Sequence, residues 1–148
     1  MKSIRFALGL GLALAATPVL AQQAPVTASS PGGTVSVAVT IDGDGRAAYA
    51  VTRKGKEVIK PSRLGFLFTD EAKIDRRLTI TGQEVRDFDE TWNQPWGEWA
   101  QIRNHYREFK VHLKETTALA RVFTVTFRLY DDGLGFRYEF PQQPNMAK

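Results

Sequence analysis

The chain contains no cysteine among its 148 residues. A domain of this size without disulfides has to be held together by the burial of apolar side chains. The composition, with 43% hydrophobic and 11% aromatic residues, is sufficient for one such domain. The chain also lacks a concentrated stripe of lysine and arginine, the feature with which nucleic-acid-binding proteins displace counterions from phosphates. A nucleic-acid partner is therefore not expected.

The sequence has no apolar run that approaches the roughly 20 residues needed to span a bilayer. The run at residues 6–16 is shorter and is preceded by Lys2 and Arg5. With the TPVLA segment that follows, it predicts a secretory signal peptide cleaved after Ala21. The alternative, a retained membrane anchor, is disfavoured by the short run and by Pro18. The mature chain would then be periplasmic or secreted and would have no membrane span.

No stretch of the mature chain sustains the 3.6-residue apolar spacing of an amphipathic helix over three turns. Residues 22–33 are small, polar and rich in proline and glycine, which predicts a flexible lead-in. Period-two alternation begins at residues 35–41, as in a strand with one buried face. We therefore expect a single all-β domain over residues 34–148, an antiparallel β-sandwich made mostly of hairpins and meanders.

Other short segments have strand character. Further strands are predicted at residues 47–53, 57–59, 64–68, 78–85, 111–114 and 118–130, with a loop at residues 70–77. The DGDG run at residues 42–45 indicates a turn rather than a calcium loop, because Arg46 and Ala47 stand where a further oxygen ligand is needed. His105 and His112 have no third ligand nearby in sequence, so they do not indicate zinc.

Asp132 and Gly133 suit a two-residue turn that joins the last two strands into a hairpin. Under that register three apolar pairs face each other: Leu129 with Phe136, Phe127 with Tyr138, and Val125 with Phe140. The same register sets Arg128 opposite Arg137, which is unfavourable for two like charges. A carboxylate bridge from Glu139 is the favoured explanation, and an anion held between the two arginines is the second.

Residues 87–99 contain every tryptophan of the chain together with four carboxylates. Indole faces stack on the apolar faces of sugar rings, and carboxylates accept hydrogen bonds from sugar hydroxyls. Trp92, Trp96 and Glu98 are therefore candidate substrate-binding residues in a loop. The alternative carries equal weight, because tryptophan in a β-sandwich often fills the core or plugs an interface between domains.

Three motifs occur in one order along the chain: TWNQPWGE at residues 91–98, IRNHYRE at 102–108 and FRLYDDGLGFRYEF at 127–140. Together with SPGG at 30–33 and PSRLG at 61–65, they resemble the N-terminal domain of glycoside hydrolase family 97. The likeness extends over essentially the whole mature chain. Asn104, in the second motif, completes the set of candidate substrate-binding residues.

The resemblance implies an exported, exo-acting α-glycosidase of α-glucosidase or α-galactosidase type. In that family an N-terminal β-super-sandwich packs on a (β/α)8 barrel that carries the catalytic carboxylates and a calcium ion. The barrel is absent here, so the domain is expected to be incomplete and inactive by itself, and no catalytic or metal residue is assigned. A free-standing carbohydrate-binding module and a structural envelope protein remain as alternatives.

Overall fold

The computed structural model describes residues 23–146, and the predicted signal peptide at residues 1–21 lies outside them. Two four-stranded antiparallel sheets, each with its strands in sequence order, pack face to face. The first sheet contains β1 (Val26–Ser29), β2 (Val35–Ile41), β3 (Ala47–Arg53) and β4 (Lys56–Arg63). The second contains β5 (Leu78–Asn93), β6 (Gln101–Glu115), β7 (Val122–Leu129) and β8 (Leu134–Glu139). The predicted all-β sandwich is confirmed. Across residues 23–146 no helix is long and apolar enough to cross a membrane.

In the first sheet, β2 has the predicted alternation, because Val35, Val37, Val39 and Ile41 are all buried. The meander of β2, β3 and β4 is confirmed. Strand β1, however, lies inside the segment predicted to be a flexible lead-in, and it pairs with β2. Its alternate residues Val26 and Ala28 pack against the core. This edge strand therefore forms because it pairs with β2 and packs on the core, although its sequence has no strong strand pattern.

The core lies between the two sheets and is formed by alternate residues from both. Phe109, Val111, Val125 and Phe127 of the second sheet are fully buried there. Burying a side chain of this kind contributes about 1.5–3 kcal/mol, which explains how the sandwich forms without disulfides. Arg121 is also buried at one end, where its guanidinium donates to Glu115 at 2.7 and 3.0 Å.

The apolar run at residues 64–68 is a loop and not the buried strand that its composition predicts. Only one bridge, between Phe66 and Ile74, occurs there, and Leu67 is 81% exposed. Gly65 passes so close to the neighbouring backbone that a Cβ would lie 2.4 Å from the Ile74 carbonyl oxygen. The Phe66 ring packs on Tyr138 and Phe140, centroid to centroid at 4.3 and 4.8 Å, and covers the core.

The β7–β8 hairpin forms as predicted, but the predicted register is wrong by two residues. Leu129 faces Leu134 and Phe127 faces Phe136, because the Tyr130 N–H donates to the Gly133 carbonyl and moves the tip back to Asp131 and Asp132. The shift keeps every side chain on its predicted face, since faces alternate with period two. It removes the predicted contact between arginines, because Arg128 faces Gly135 and Arg137 faces Thr126.

Strands β5 and β6 are much longer than predicted, and part of the tryptophan segment assigned to a loop continues β5 to Asn93. Strand β7 pairs only with residues 107–114 of β6. We call the remainder, residues 88–93 and 101–106 with the connecting turn 94–100, the distal ribbon. Its two strands pair with each other alone, so it projects past the neighbouring strand of the second sheet.

Candidate functional site

All three tryptophans lie on the distal ribbon and are exposed to solvent. Trp92 is 46% exposed, Trp99 is 69% exposed and Trp96, in the connecting turn, is 82% exposed. The turn is closed by a hydrogen bond from the Gln94 N–H to the Ala100 carbonyl at 3.0 Å. The core-filling alternative is therefore wrong, and these indoles are available for contact with something outside the domain.

The core side of β5 and β6 carries two ion pairs, one at the base of the distal ribbon and one within it. Arg107 donates to both carboxylate oxygens of Asp87 at 2.5 and 2.8 Å, and Arg103 donates to both oxygens of Asp89 at 2.8 and 2.7 Å. These hydrogen bonds lower the pKa of each aspartate below its usual value. Arg107 also donates to the Ser29 carbonyl at 3.3 Å, which ties the base of the ribbon to the first sheet.

The opposite face of the ribbon is aromatic. Phe88 and Tyr106 are cross-strand partners whose rings stack at 4.8 Å, and Tyr130 lies 5.3 Å from Tyr106. The guanidinium of Arg128 lies over the Tyr106 ring at 4.8 Å. Tyr106 is thereby only 3% exposed although it lies on the outer face of the sheet, and burial raises its pKa.

Asn104 links this aromatic face to a carboxylate. Its amide donates to Glu90 at 2.7 Å and accepts the hydroxyl hydrogen bond of Tyr130 at 3.0 Å. Strand pairing sets Trp92 opposite Ile102, so Trp92 follows Glu90 on the same face. The structure therefore brings Asn104 and Trp92 onto one face and leaves Trp96 and Glu98 in the exposed turn. Sequence reasoning missed Tyr130 as a partner of Asn104, because only the pairing of β6 with β7 brings them together.

Within residues 23–146, no group of three or more His, Asp or Glu side chains is placed to hold a metal ion. The DGDG run forms the predicted turn. Its Asp42 side chain accepts hydrogen bonds from the Asp44 and Arg46 N–H groups at 2.9 and 2.8 Å, so it is engaged by its own backbone. His112 bonds to Thr124 and Glu84 at 2.9 and 3.1 Å.

A large cleft, of about 670 Å³, lies beside the turn at residues 42–45 and the start of β5. Its lining includes Arg76, Arg77, Thr79 and Thr116 but no aromatic residue of the described chain. A site that recognises sugars generally uses an aromatic face for stacking. The distal ribbon is therefore the better candidate for contact with a carbohydrate.

Comparison with protein families gives a match to the family described as Glycosyl-hydrolase 97 N-terminal, over residues 28–148. A curated relative, a retaining alpha-galactosidase from Bacteroides thetaiotaomicron, is 28% identical over 138 residues. The match covers 93% of this chain and 19% of that enzyme.

Solved structures agree with this match. A glycoside hydrolase family 97 enzyme from Pseudoalteromonas sp. strain K8, in complex with acarbose, superposes with a TM-score of 0.75 and 30% identity, over 80% of this chain and 18% of that one. A beta-arabinopyranosidase gives a TM-score of 0.72 and 25% identity, over 82% of this chain and 19% of the other. The chain thus spans about a fifth of the length of the relatives it matches.

Proposed function

Because the chain belongs to the Glycosyl-hydrolase 97 N-terminal family, we propose that it is the accessory β-sandwich domain of an exported α-glycosidase and is inactive by itself. Its relatives are glycosidases of which it matches about a fifth, so most of such an enzyme lies outside this domain. The proposed enzyme acts on α-glucosides or α-galactosides, and the domain's partner is the enzyme's own (β/α)8 barrel.

The observation that carries this proposal is the exposure of Trp92, Trp96 and Trp99 on a ribbon that projects from the sandwich. Large aromatic side chains exposed together mark contact surfaces, because leaving so much apolar area in water is unfavourable. The ion pairs of Arg103 and Arg107 lie on the sheet face opposite Trp92, so they leave that indole uncovered. We propose that the ribbon docks on the barrel near its sugar-binding pocket.

At that position the candidate residues have a chemical role. Trp92 and Trp96 offer stacking faces for a sugar ring, and Glu98 and Asn104 offer hydrogen-bonding groups for its hydroxyls. Asn104 is already held by Glu90 and Tyr130, so its contribution is to orient the Glu90 carboxylate as well as to meet a ligand. The four residues therefore act as a wall of the pocket rather than as catalysts.

Catalysis itself requires two carboxylates on either side of the scissile bond, one as an acid and one as a base or nucleophile. We assign both to the barrel, as the family resemblance implies. Of the carboxylates on and beside the ribbon, Asp87 is engaged by Arg107, Asp89 by Arg103 and Glu90 by Asn104, and Glu98 stands alone in the exposed turn without a second carboxylate assigned to work with it. The family resemblance implies a calcium ion for such an enzyme. Residues 23–146 offer no group of three or more acidic or histidine side chains that could bind it. Its ligands would belong to the barrel.

Export is the remaining part of the proposal. We expect the mature protein in the periplasm or the medium to begin at Gln22, and mass spectrometry of the secreted chain would show this. If the measured mass of the exported protein includes residues 1–21, cleavage after Ala21 is rejected.

The docking proposal is tested by mixing this chain with the rest of the enzyme, produced as a separate polypeptide. We expect this chain alone to hydrolyse neither a p-nitrophenyl α-galactoside nor a p-nitrophenyl α-glucoside. When the barrel is added, acrylamide should quench the tryptophan fluorescence of this chain less than before. Trp96→Ala should weaken the association by about tenfold or more, because buried tryptophans dominate interfaces. Leu67→Ala is the matched control, since Leu67 is equally exposed in another loop. Equal effects of the two substitutions would reject the ribbon as the docking surface.

A free-standing carbohydrate-binding module is the second candidate, and the same exposed indoles favour it. The two functions differ in a simple measurement. A binding module should show saturable quenching of tryptophan fluorescence by maltose or galactose in this chain alone, whereas a docking domain should respond to the barrel and not to the free sugar.

A further inference from the structure

Strand β5 is an outermost strand of the second sheet, and its outer edge is unpaired over most of its length. The Gln94 N–H donates to the Ala100 carbonyl, so the even-numbered residues of β5 from 82 onward bond to β6. The residues between them direct their N–H and C=O groups away from β6: Gln83, Val85, Asp87, Asp89, Thr91 and Asn93. Within residues 23–146 no strand pairs with this edge.

Both ends of the free edge are closed by other contacts. At one end the Gln23 side chain takes the place of a neighbouring strand, because its amide donates to the Ile80 carbonyl at 3.0 Å and accepts from the Ile80 N–H at 2.9 Å. At the other end the connecting turn begins at Gln94. The free edge therefore extends over residues 83–93 and is centred on Phe88.

The other outermost strands are less suited to pairing with a further strand. β1, β4 and β8 contain four, eight and six residues, whereas β5 contains 16, and β4 also includes Pro61. Short edge strands and proline are features that prevent edge-to-edge association. The edge of β5 has no proline and is the longest of the four in the part of the chain that the structure describes.

Two opposite charges on the outer face of β5 have no partner of opposite sign within residues 23–146. The Arg86 guanidinium lies over the Phe88 ring, 4.7 Å from its centroid, and makes no ion pair there. The Glu90 carboxylate accepts a hydrogen bond from the Asn104 amide and has no cationic partner. Arg86 and Glu90 lie two positions before and two positions after Phe88. An antiparallel copy of β5 centred on Phe88 would therefore place each of them opposite its complement.

We propose that the chain forms a two-fold symmetric dimer in which the free edge of β5 pairs with the same edge of a second copy, Phe88 opposite Phe88. This register uses every free N–H and C=O group of the edge, whereas a shifted register leaves some of them unpaired at both ends. It aligns Gln83 with Asn93 and Val85 with Thr91, and neither pair is charged. The second sheets of the two copies then form one continuous sheet.

One contact in this register opposes pairing, because Asp87 lies opposite Asp89 of the second copy. Each of these carboxylates is already paired with a guanidinium that donates to both of its oxygens, Arg107 on Asp87 and Arg103 on Asp89. These ion pairs reduce the repulsion, and the two pairs formed by Arg86 with Glu90 on the other face are attractive.

The proposed dimer does not depend on docking to a barrel. It is held by backbone groups at the edge of β5 and by charges beside them. Trp96 and Trp99 lie in the turn beyond the paired residues and are exposed there. Dimerisation and docking can therefore fail or succeed separately.

Exchange of charges between copies tests the register. In the mature chain, Arg86→Glu and Glu90→Arg each turn both charge pairs of the dimer into repulsive ones, and each should weaken dimerisation by about tenfold or more. An equimolar mixture of the two variants should dimerise about as strongly as the parent chain, because every charge then meets its opposite. Analytical ultracentrifugation over a range of concentrations measures this, and circular dichroism verifies that each variant is folded. Glu57→Arg is the matched control, since Glu57 is an exposed carboxylate on β4.

Hydrogen exchange gives a second measurement. The amides of Val85 and Thr91 should become protected as the protein concentration rises, because they point to the free edge, whereas the Phe88 amide is bonded to β6 at every concentration. The proposal is overturned if the parent chain stays monomeric up to millimolar concentration, if the mixed variants dimerise no more strongly than either alone, or if Glu57→Arg weakens the dimer equally. Dissolution of the dimer by the separately produced barrel would also overturn it, because the edge would then belong to the contact with the barrel.

Discussion

Asp131 joins the two sheets through the tip of the last hairpin. Its carboxylate accepts hydrogen bonds from the Ser30 hydroxyl and the Gly32 N–H, the second at 2.8 Å, and these lower its pKa below the usual value. Its backbone carbonyl accepts the Thr34 hydroxyl. A single turn residue of the second sheet therefore holds the β1–β2 turn of the first.

This contact predicts a specific pH dependence for Asp131→Asn. A carboxylate whose pKa is lower in the folded chain stabilises the fold above about pH 4, and its contribution disappears as the pH falls through the folded-state pKa. The variant should be less stable than the parent chain at pH 7, and the difference should shrink on acidification. Urea unfolding at pH 7, 5 and 3 measures it. Asp132→Asn removes the same charge from the neighbouring residue and is the control for the loss of one negative charge at this turn.

At the scale of elements, the start of β5 is fixed by the β2–β3 turn. The Leu78 N–H donates to the Gly45 carbonyl at 2.8 Å, and Gly45 has a φ of 72°. A Cβ on Gly45 would lie 2.7 Å from the backbone of Arg77. This glycine is thus required both by its backbone conformation and by the approach of a strand from the other sheet.

Gly55 makes a matched comparison, because its φ is 76° but a Cβ added there would meet no atom within 4 Å. Gly55→Ala should lower the unfolding free energy by about 1–2 kcal/mol, the cost of the left-handed conformation alone. Gly45→Ala should cost a further 1–3 kcal/mol, roughly, because the neighbouring backbone has to move. Denaturant unfolding of both variants decides this, and equal losses would mean that the contact with Arg77 is unimportant.

Arg107, at the base of the distal ribbon, contacts both Asp87 and the Ser29 carbonyl of the first sheet. Arg107→Ala should therefore increase hydrogen exchange at ribbon amides such as those of residues 88–93, with a loss of about 1–2 kcal/mol in local stability. Arg103→Ala removes an exposed pair within the ribbon only and should cost less, about 0–1 kcal/mol. If both variants exchange alike, the tie to the first sheet does not control the ribbon.

At the scale of the whole molecule, the residues that hold the sandwich together are distinct from those proposed to meet a partner. Phe127 is fully buried between the sheets, whereas Trp96 is 82% exposed. We expect Phe127→Ala to lower the unfolding free energy by about 3–5 kcal/mol. Trp96→Ala should change it by less than about 0.5 kcal/mol. Thermal and urea unfolding test this, and a large loss with Trp96→Ala would mean that the indole serves the fold.

Strand identity was readable where alternation is strong. Alternate apolar side chains of β2 and of β7 are buried. That period of two is a local property of an extended chain. Strand β1 was missed because its residues are mostly small or polar and it pairs with β2 alone. The distal halves of β5 and β6 were missed because charged and polar residues stand between their few large side chains, and the two strands pair only with each other there.

The sequence by itself determined the all-β class, the family resemblance and the alternating faces, since these depend on residue types and on a local period of two. Tertiary structure decided the hairpin register, the loop at residues 64–68 and the exposure of the tryptophans. The register follows from the Tyr130–Gly133 hydrogen bond, the loop from the close approach of Gly65 to Ile74, and the exposure from the pairing of β7 with residues 107–114 alone. Individual contacts and strand pairings of this kind leave no periodic trace in the chain, so only the packed sheets specify them.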